Sequence, residues 1–214
     1  MSADLIPRRL PKRLTDTAVS GALLVLSAPV LGFALGAMAL DMLVSKRDRG
    51  PFLYREPRIS RGREFELLKL RTLRSDALGR QVGVEAHARL LEMDPENLTW
   101  AGRRILKPWY LDELPQLLNV LRGELSLVGP RPWPPSMVAG QVAAGYDYRN
   151  HIAAGWTGPA QVRKDVTEPA GYTDLDLVYV DACRSWSGAK LVRYDLGILW
   201  QTVKLIARGK GLEY

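Results

Sequence analysis

The longest apolar run lies near the N-terminus, where residues 18–40 carry no charge. A helix of that length reaches roughly 34 Å, enough for the hydrocarbon core of a bilayer. Pro29 sits mid-run, with Ser27 just before it and Gly32 and Gly36 after it. Proline removes one helical hydrogen bond and crowds the preceding turn, and a nearby hydroxyl can serve a freed carbonyl. Arg8, Arg9, Lys12 and Arg13 precede the run, and Lys46, Arg47 and Arg49 follow it. Cations at both ends assign both ends to the cytoplasmic side. The pattern predicts a re-entrant helix-break-helix hairpin bent at Ser27 and Pro29, among membrane lipids. A buried helix of a soluble core is the competing reading, and a cleaved leader fits poorly with so long a run. Asp16 is expected to pair with Arg13 at the interface.

The next strong pattern is LDELPQLLNVLRGELSLVGPRP, residues 111–132. Apolar residues at Leu111, Leu114, Leu117, Leu118 and Leu121 have the spacing of an amphipathic helix. Asp112 is a favoured N-cap and Pro115 is tolerated only in a first turn, so the helix start belongs at or beside Asp112. Residues 125–132 read as a strand or extended segment that delivers Arg131 on the stiff turn Gly129-Pro130-Arg131-Pro132. Asp112 with Arg131 has two readings: a helix cap with a surface ion pair, or a site where helix N–H groups and Arg131 attract phosphate.

Elsewhere, Phe52 to Arg55 and Phe65 to Leu70 flank an Arg61-Gly62-Arg63 turn and predict a hairpin near the membrane surface. Its Arg55, Arg58, Arg61, Arg63, Lys69 and Arg71 are expected to face water or headgroups. Residues 74–100 are polar, with a turn at Asp94-Pro95-Glu96-Asn97 and a short helix around residues 85–92, and suggest no chemistry. After the extended Trp133-Pro134-Pro135, residues 136–145 suit a helix. Residues 194–207 are an amphipathic helix that packs on the core or lies in the membrane interface.

The fold class is therefore mainly α with small β elements (α+β). Residues 1–48 are expected to form the membrane hairpin and residues 49–214 a cytoplasmic domain on the membrane surface. The formal charge of +7 suits an anionic partner. Nucleic acid is set aside because no aromatics interleave the basic run, which adjoins the membrane segment. Cys183 is the only cysteine, which excludes an internal disulfide and suits a reducing compartment. His87 and His151 are too isolated for a metal cluster and are read as surface or structural residues.

Residues 111–132 resemble the signature of the monotopic phosphoglycosyl transferases, bacterial enzymes that start glycan assembly on a polyprenyl phosphate. Weaker likenesses follow in the right order across nearly all of the chain. Lys69-Leu70-Arg71-Thr72-Leu73 resembles a basic-aromatic-Arg-Thr-Met pattern. Lys107 stands where the family carries a basic residue near the phosphates. In residues 153–165 Gly155, Gly158, Ala160, Gln161 and Val162 agree. Ala153 and Ala154 replace Arg-Pro, Pro159 replaces Trp, and Arg163-Lys164-Asp165 replaces Asn-Gly-Arg. Ala28-Pro29 stands for a family Ser-Pro pair at the bend.

The resemblance implies transfer of a sugar 1-phosphate from a nucleotide diphosphate sugar, expected to be a UDP-sugar, to undecaprenyl phosphate. It implies a bacterial inner-membrane enzyme on the cytoplasmic face, with a homodimer left open. Asp112 is the expected nucleophile in a ping-pong course, ionised at neutral pH at its ordinary pKa of about 3.9. Glu113 is the expected metal ligand beside Asp112, with orienting Asp112 or deprotonating the acceptor as its other roles. Mg²⁺, Arg131, Lys107 and Arg71 are expected to neutralise the phosphates. Gln161 and Arg163 are candidate donor contacts, Arg163 replacing a missing family arginine. The alternative is a non-catalytic membrane adaptor that recruits glycan-assembly partners.

Overall fold

The computed structural model describes residues 5–79, 91–163 and 169–208. The chain is mainly helical with two small sheets. It divides into two compact units: Met1–Ala22, Glu56–Leu67 and Gln116–Tyr214 form the first, and Leu23–Arg55 and Leu68–Pro115 the second.

Helix α1, Leu10–Val44, runs through both. It is apolar and long enough to cross a membrane, and only 17% of its most apolar window is buried. Val25, Leu26, Phe33, Leu40 and Leu43 are all exposed. The helical assignment continues through Pro29, so the expected break is not a non-helical interruption. Proline removes only its own donor, and a helix accommodates that by bending. The Ser27 hydroxyl does not serve the Val25 carbonyl that Pro29 leaves without its donor. It donates to the Leu24 carbonyl instead, at 3.3 Å.

In the first unit, the cations before the apolar run hold the helix start to the protein. Arg8 Nη1 donates to the Gly123 carbonyl at 2.6 Å, and Arg13 donates to the Val120 and Leu121 carbonyls at 2.6 and 2.7 Å. These carbonyls close helix α3, Gln116–Arg122, whose last turn lacks intrahelical donors. Burial lowers Arg8 to about 10. Lys12 Nζ, also buried, lies 2.5 Å from Asp195 Oδ2. Asp16 does not take Arg13 as its partner. It accepts from Ser126 Oγ at 2.7 Å and the Leu127 amide at 3.3 Å, because the chain after α3 passes beside α1.

Strand β3, Ser126–Val128, pairs in parallel with β4, Gly155–Thr157, matching Ser126 to Gly155 and Val128 to Thr157. Helix α4, Pro135–Ala143, a short α5, Pro159–Val162, a long α6, Pro169–Ser185, and α7, Gly188–Ala207, complete the unit. Helix α7 buries Leu191, Asp195, Ile198 and Thr202, a period of three to four residues that seats it on the core. Tyr179 of α6 bridges to it, its hydroxyl donating to Asp195 Oδ1 at 2.8 Å. His151 pairs with Asp147 Oδ2 at 2.8 Å, and His87 lies outside the described residues.

The expected hairpin forms as β1, Leu53–Ser60, and β2, Arg63–Leu70, turning at Arg61 and Gly62 with φ of 55° and 69°. Positive φ at both central residues suits the strand twist. The expected helix around residues 85–92 lies largely outside the described residues. The Asp94 turn forms, with Asp94 Oδ1 accepting from the Glu96 amide at 2.9 Å.

In the second unit, Ala34, Ala37 and Met38 of α1 pack with Leu70, Ala101 and Leu106, and Leu111 lies against them. Helix α2, Ser75–Gly79, flanks a smaller cluster around Leu73 and Leu98.

Candidate active site

Asp112 and Glu113 do not begin an α-helix. Leu111–Glu113 is a 3-10 turn, and α3 starts at Gln116. Pro115 is the reason. An α-helical Leu111 carbonyl would need the amide of residue 115, which proline lacks. The Leu111 carbonyl accepts from Leu114 instead, at 3.3 Å. Tyr110, not Asp112, is the capping residue, and it holds a left-handed φ of 54°. That conformation is uncommon for a tyrosine and clusters at functional sites.

With Leu111 anchored in the apolar cluster, the turn draws the two carboxylates inward. Asp112 is 2% exposed and Glu113 7%. Burial pushes Asp112 up to about 7; Lys107 and Lys69 oppose the rise, and Glu113 and Glu92 add to it. Burial thus works against the charge that the sequence reading expects on Asp112, and Lys107 works for it.

The geometry brings Lys107 to the site. It caps the π-helical turn Gly102–Leu106. Its Nζ lies 3.8 Å from Asp112 Oδ2 and 2.7 Å from Glu92 Oε2. The other Glu92 oxygen accepts from Thr72 Oγ1 at 2.6 Å. Burial raises Glu92, but Lys107, Lys69 and the Thr72 hydroxyl outweigh it, and its pKa is lowered. Glu92 falls in the stretch that suggested no chemistry, and no local pattern marks it. Its role exists only because the fold returns it to Lys107.

Arg71 was expected among the phosphate-binding cations facing water. It is 2% exposed, and its three nitrogens donate to the carbonyls of Pro51, Leu73 and Asp48 at 2.8, 2.6 and 2.5 Å. A guanidinium offers five donors in a planar fork, which suits it to tying three backbone segments. The other expected cations belong to the first unit. Arg131 is partly buried and follows Pro130; Arg163 is exposed at the end of α5. Gln161 is buried, its Nε2 donating to the Trp156 carbonyl at 3.4 Å, while its Oε1 has no hydrogen-bond partner among the described residues.

Among the described residues no group of three or more His, Cys, Asp or Glu side chains stands ready to hold a metal. Magnesium needs no such group. It takes one or two carboxylates and completes its shell with water and substrate phosphates. The buried all-oxygen pair of Asp112 and Glu113, with Glu113 disfavouring charge on Asp112, fits that requirement.

The model of the bacterial sugar transferases matches residues 7–209 of this chain. The chain belongs to the bacterial sugar transferase family. As a family member it is 35% identical over 207 residues to an undecaprenyl-phosphate glucose phosphotransferase of Komagataeibacter xylinus, covering 91% of this chain and 35% of that protein. It is 35% identical over 209 residues to a UDP-glucose:undecaprenyl-phosphate glucose-1-phosphate transferase of Caulobacter vibrioides, covering 93% and 68%. It is also 32% identical over 208 residues to the uncharacterized sugar transferase EpsL of Bacillus subtilis, covering 94% and 90%. The chain thus spans 35% of the first relative's length and most of the third's.

Proposed function

We propose that this chain transfers a sugar 1-phosphate from a nucleotide diphosphate sugar, a UDP-sugar, to undecaprenyl phosphate. The observation that carries the reading is the buried Asp112 beside Lys107, on the LDELP turn of a chain matched by its family model almost end to end.

An Asp112 oxygen attacks the phosphorus nearest the sugar. The pyrophosphate P–O bond breaks, its electron pair leaves with the nucleoside monophosphate, and the sugar phosphate remains as an acyl phosphate. A phosphate oxygen of the lipid then attacks the same phosphorus, and the bond to Asp112 breaks to restore the carboxylate. Lys107 favours the ionised Asp112 and offsets charge on the incoming phosphates. A magnesium ion held by Asp112 and Glu113 would neutralise the diphosphate and its leaving group. Arg131, Gln161 and Arg163 are proposed as donor contacts; the unpartnered Gln161 Oε1 supports an acceptor for a ligand N–H or O–H.

Residues 1–48 are proposed as a re-entrant hairpin with both ends on the cytoplasmic face, and residues 49–214 as the catalytic domain on the membrane. The exposed apolar side chains of α1, Pro29 and the cations Lys46, Arg47 and Arg49 support this course. Incubation with donor alone should place a sugar-phosphate mass on the Asp112 peptide and release one equivalent of nucleoside monophosphate. Full turnover by Asp112→Asn would remove the covalent course. Absence of any monophosphate release across a panel of nucleotide sugars would favour an adaptor.

A further inference from the structure

In the first unit the chain leaving β3 is held one carbonyl at a time. The Gly155 amide donates to Pro130 at 2.8 Å, and the Ile59 amide donates to Trp133 at 3.0 Å. Both are main-chain bonds and persist through any side-chain change that keeps the fold. Between them the Arg131 carbonyl is held by a side chain: Arg149 Nη1 donates to it at 2.5 Å.

Arg149 is itself locked. It is 5% exposed, its Nη2 lies 2.7 Å from Asp176 Oδ2, and its Nε donates to Gln141 Oε1 at 2.9 Å. Its guanidinium stacks 4.0 Å over the Trp133 ring. The Tyr148 hydroxyl donates to Asp176 Oδ2 at 2.9 Å and so fixes the carboxylate that fixes Arg149. Pro132 already confines Arg131 to extended backbone. Within that range ψ can still vary by some tens of degrees, which turns the side chain relative to the peptide plane that follows. The Arg149 bond removes that freedom.

We propose that Arg149 is a positioning residue. Through the Arg131 carbonyl it sets the direction of the Arg131 side chain, and with it the affinity for the donor's phosphates. The inference rests on the reading of Arg131 as a donor contact. Lysine cannot replace Arg149, because one ammonium on a flexible stem cannot span Gln141, Asp176 and the carbonyl together.

The test is steady-state release of nucleoside monophosphate by Arg149→Lys, Arg131→Ala, the double variant and Tyr148→Phe, with melting temperatures alongside. Arg149→Lys is expected to raise the donor KM about tenfold with kcat within about twofold of wild type, a fraction of the roughly hundredfold that a 1 Å misplacement can cost. In the Arg131→Ala background the same change should add nothing, because coupled residues are not additive. Tyr148→Phe, which loosens Asp176 but leaves the Arg149–Arg131 bond in place, should raise the donor KM less than Arg149→Lys does. An unchanged donor KM in Arg149→Lys, or a loss that multiplies onto that of Arg131→Ala, overturns the proposal. If Arg131→Ala alone leaves the donor KM unchanged, the reading of Arg131 fails and the positioning role falls with it. Should Arg149→Lys not fold, Gln141→Leu removes one anchor of the guanidinium and is read by the same KM criterion.

Discussion

Lys107 Nζ stands 3.8 Å from Asp112 Oδ2, within reach of an ion pair and longer than a hydrogen bond. At that distance the ammonium supports charge on Asp112 without sealing its oxygen against an electrophile. Replacing Lys107 by Met should therefore lower kcat/KM for nucleoside monophosphate release by roughly a hundredfold, the usual cost of losing one stabilising charge in a site. Lys107→Arg should recover part of it. Equal turnover in Lys107→Met would separate the cation from the chemistry.

Glu92 holds the same ammonium by a shorter bond, 2.7 Å, and has a lowered pKa despite its burial. A carboxylate lowered in the folded state adds stability above its unfolded value and loses it as pH falls through the folded one. Glu92→Gln should thus be less stable than wild type by about 1–2 kcal/mol at pH 7. The gap should close on acidification below the ordinary glutamate range. Urea unfolding of both proteins across pH 3–7 measures it; a gap constant in pH would exclude the ion pair as its source.

Cys183 is buried on α6, and burial raises its thiol to about 11. The unfolded thiol titrates near 8.5, so native Cys183 at pH 8 is about a thousandth thiolate and shielded as well. A maleimide should label it only as the protein unfolds, with labelling tracking the urea transition. Rapid labelling of the native enzyme would contradict the packing of α6.

Gly155 admits no side chain. A Cβ there would lie 2.1 Å from the Gly129 amide nitrogen and 2.5 Å from the Thr157 carbonyl. Backbone cannot yield as a flexible side chain does, so Gly155→Ala should cost at least about 3 kcal/mol and strip the β3–β4 pairing. Thermal unfolding checks this, and an unchanged midpoint would deny the close approach.

In a Cys183→Ala background, single cysteines at the exposed Leu5 and Lys46 should react with a membrane-impermeant maleimide from the same side of inverted vesicles. Protection of one and labelling of the other would replace the hairpin with a simple span.

The order of polar and apolar residues determined much of this protein. An uncharged run predicts a long lipid-compatible helix because backbone in hydrocarbon must satisfy itself. Arg61-Gly62 between two strand patterns predicts the hairpin, and the LDELP stretch marks Asp112 and Glu113. What the sequence could not set is which charges meet. The cations before the apolar run read as flanks that orient it in the membrane, yet Lys12 closes on Asp195 and Arg8 and Arg13 close on α3. Arg71 reads as a phosphate-binding cation and ties three carbonyls; Glu92 lies in a stretch that suggests no chemistry and grips Lys107. Local pattern reports helical period and turn chemistry, which act over a few residues. Burial, and with it the shift of Asp112 toward 7, depends on neighbours brought from far along the chain, and only the tertiary structure decides those.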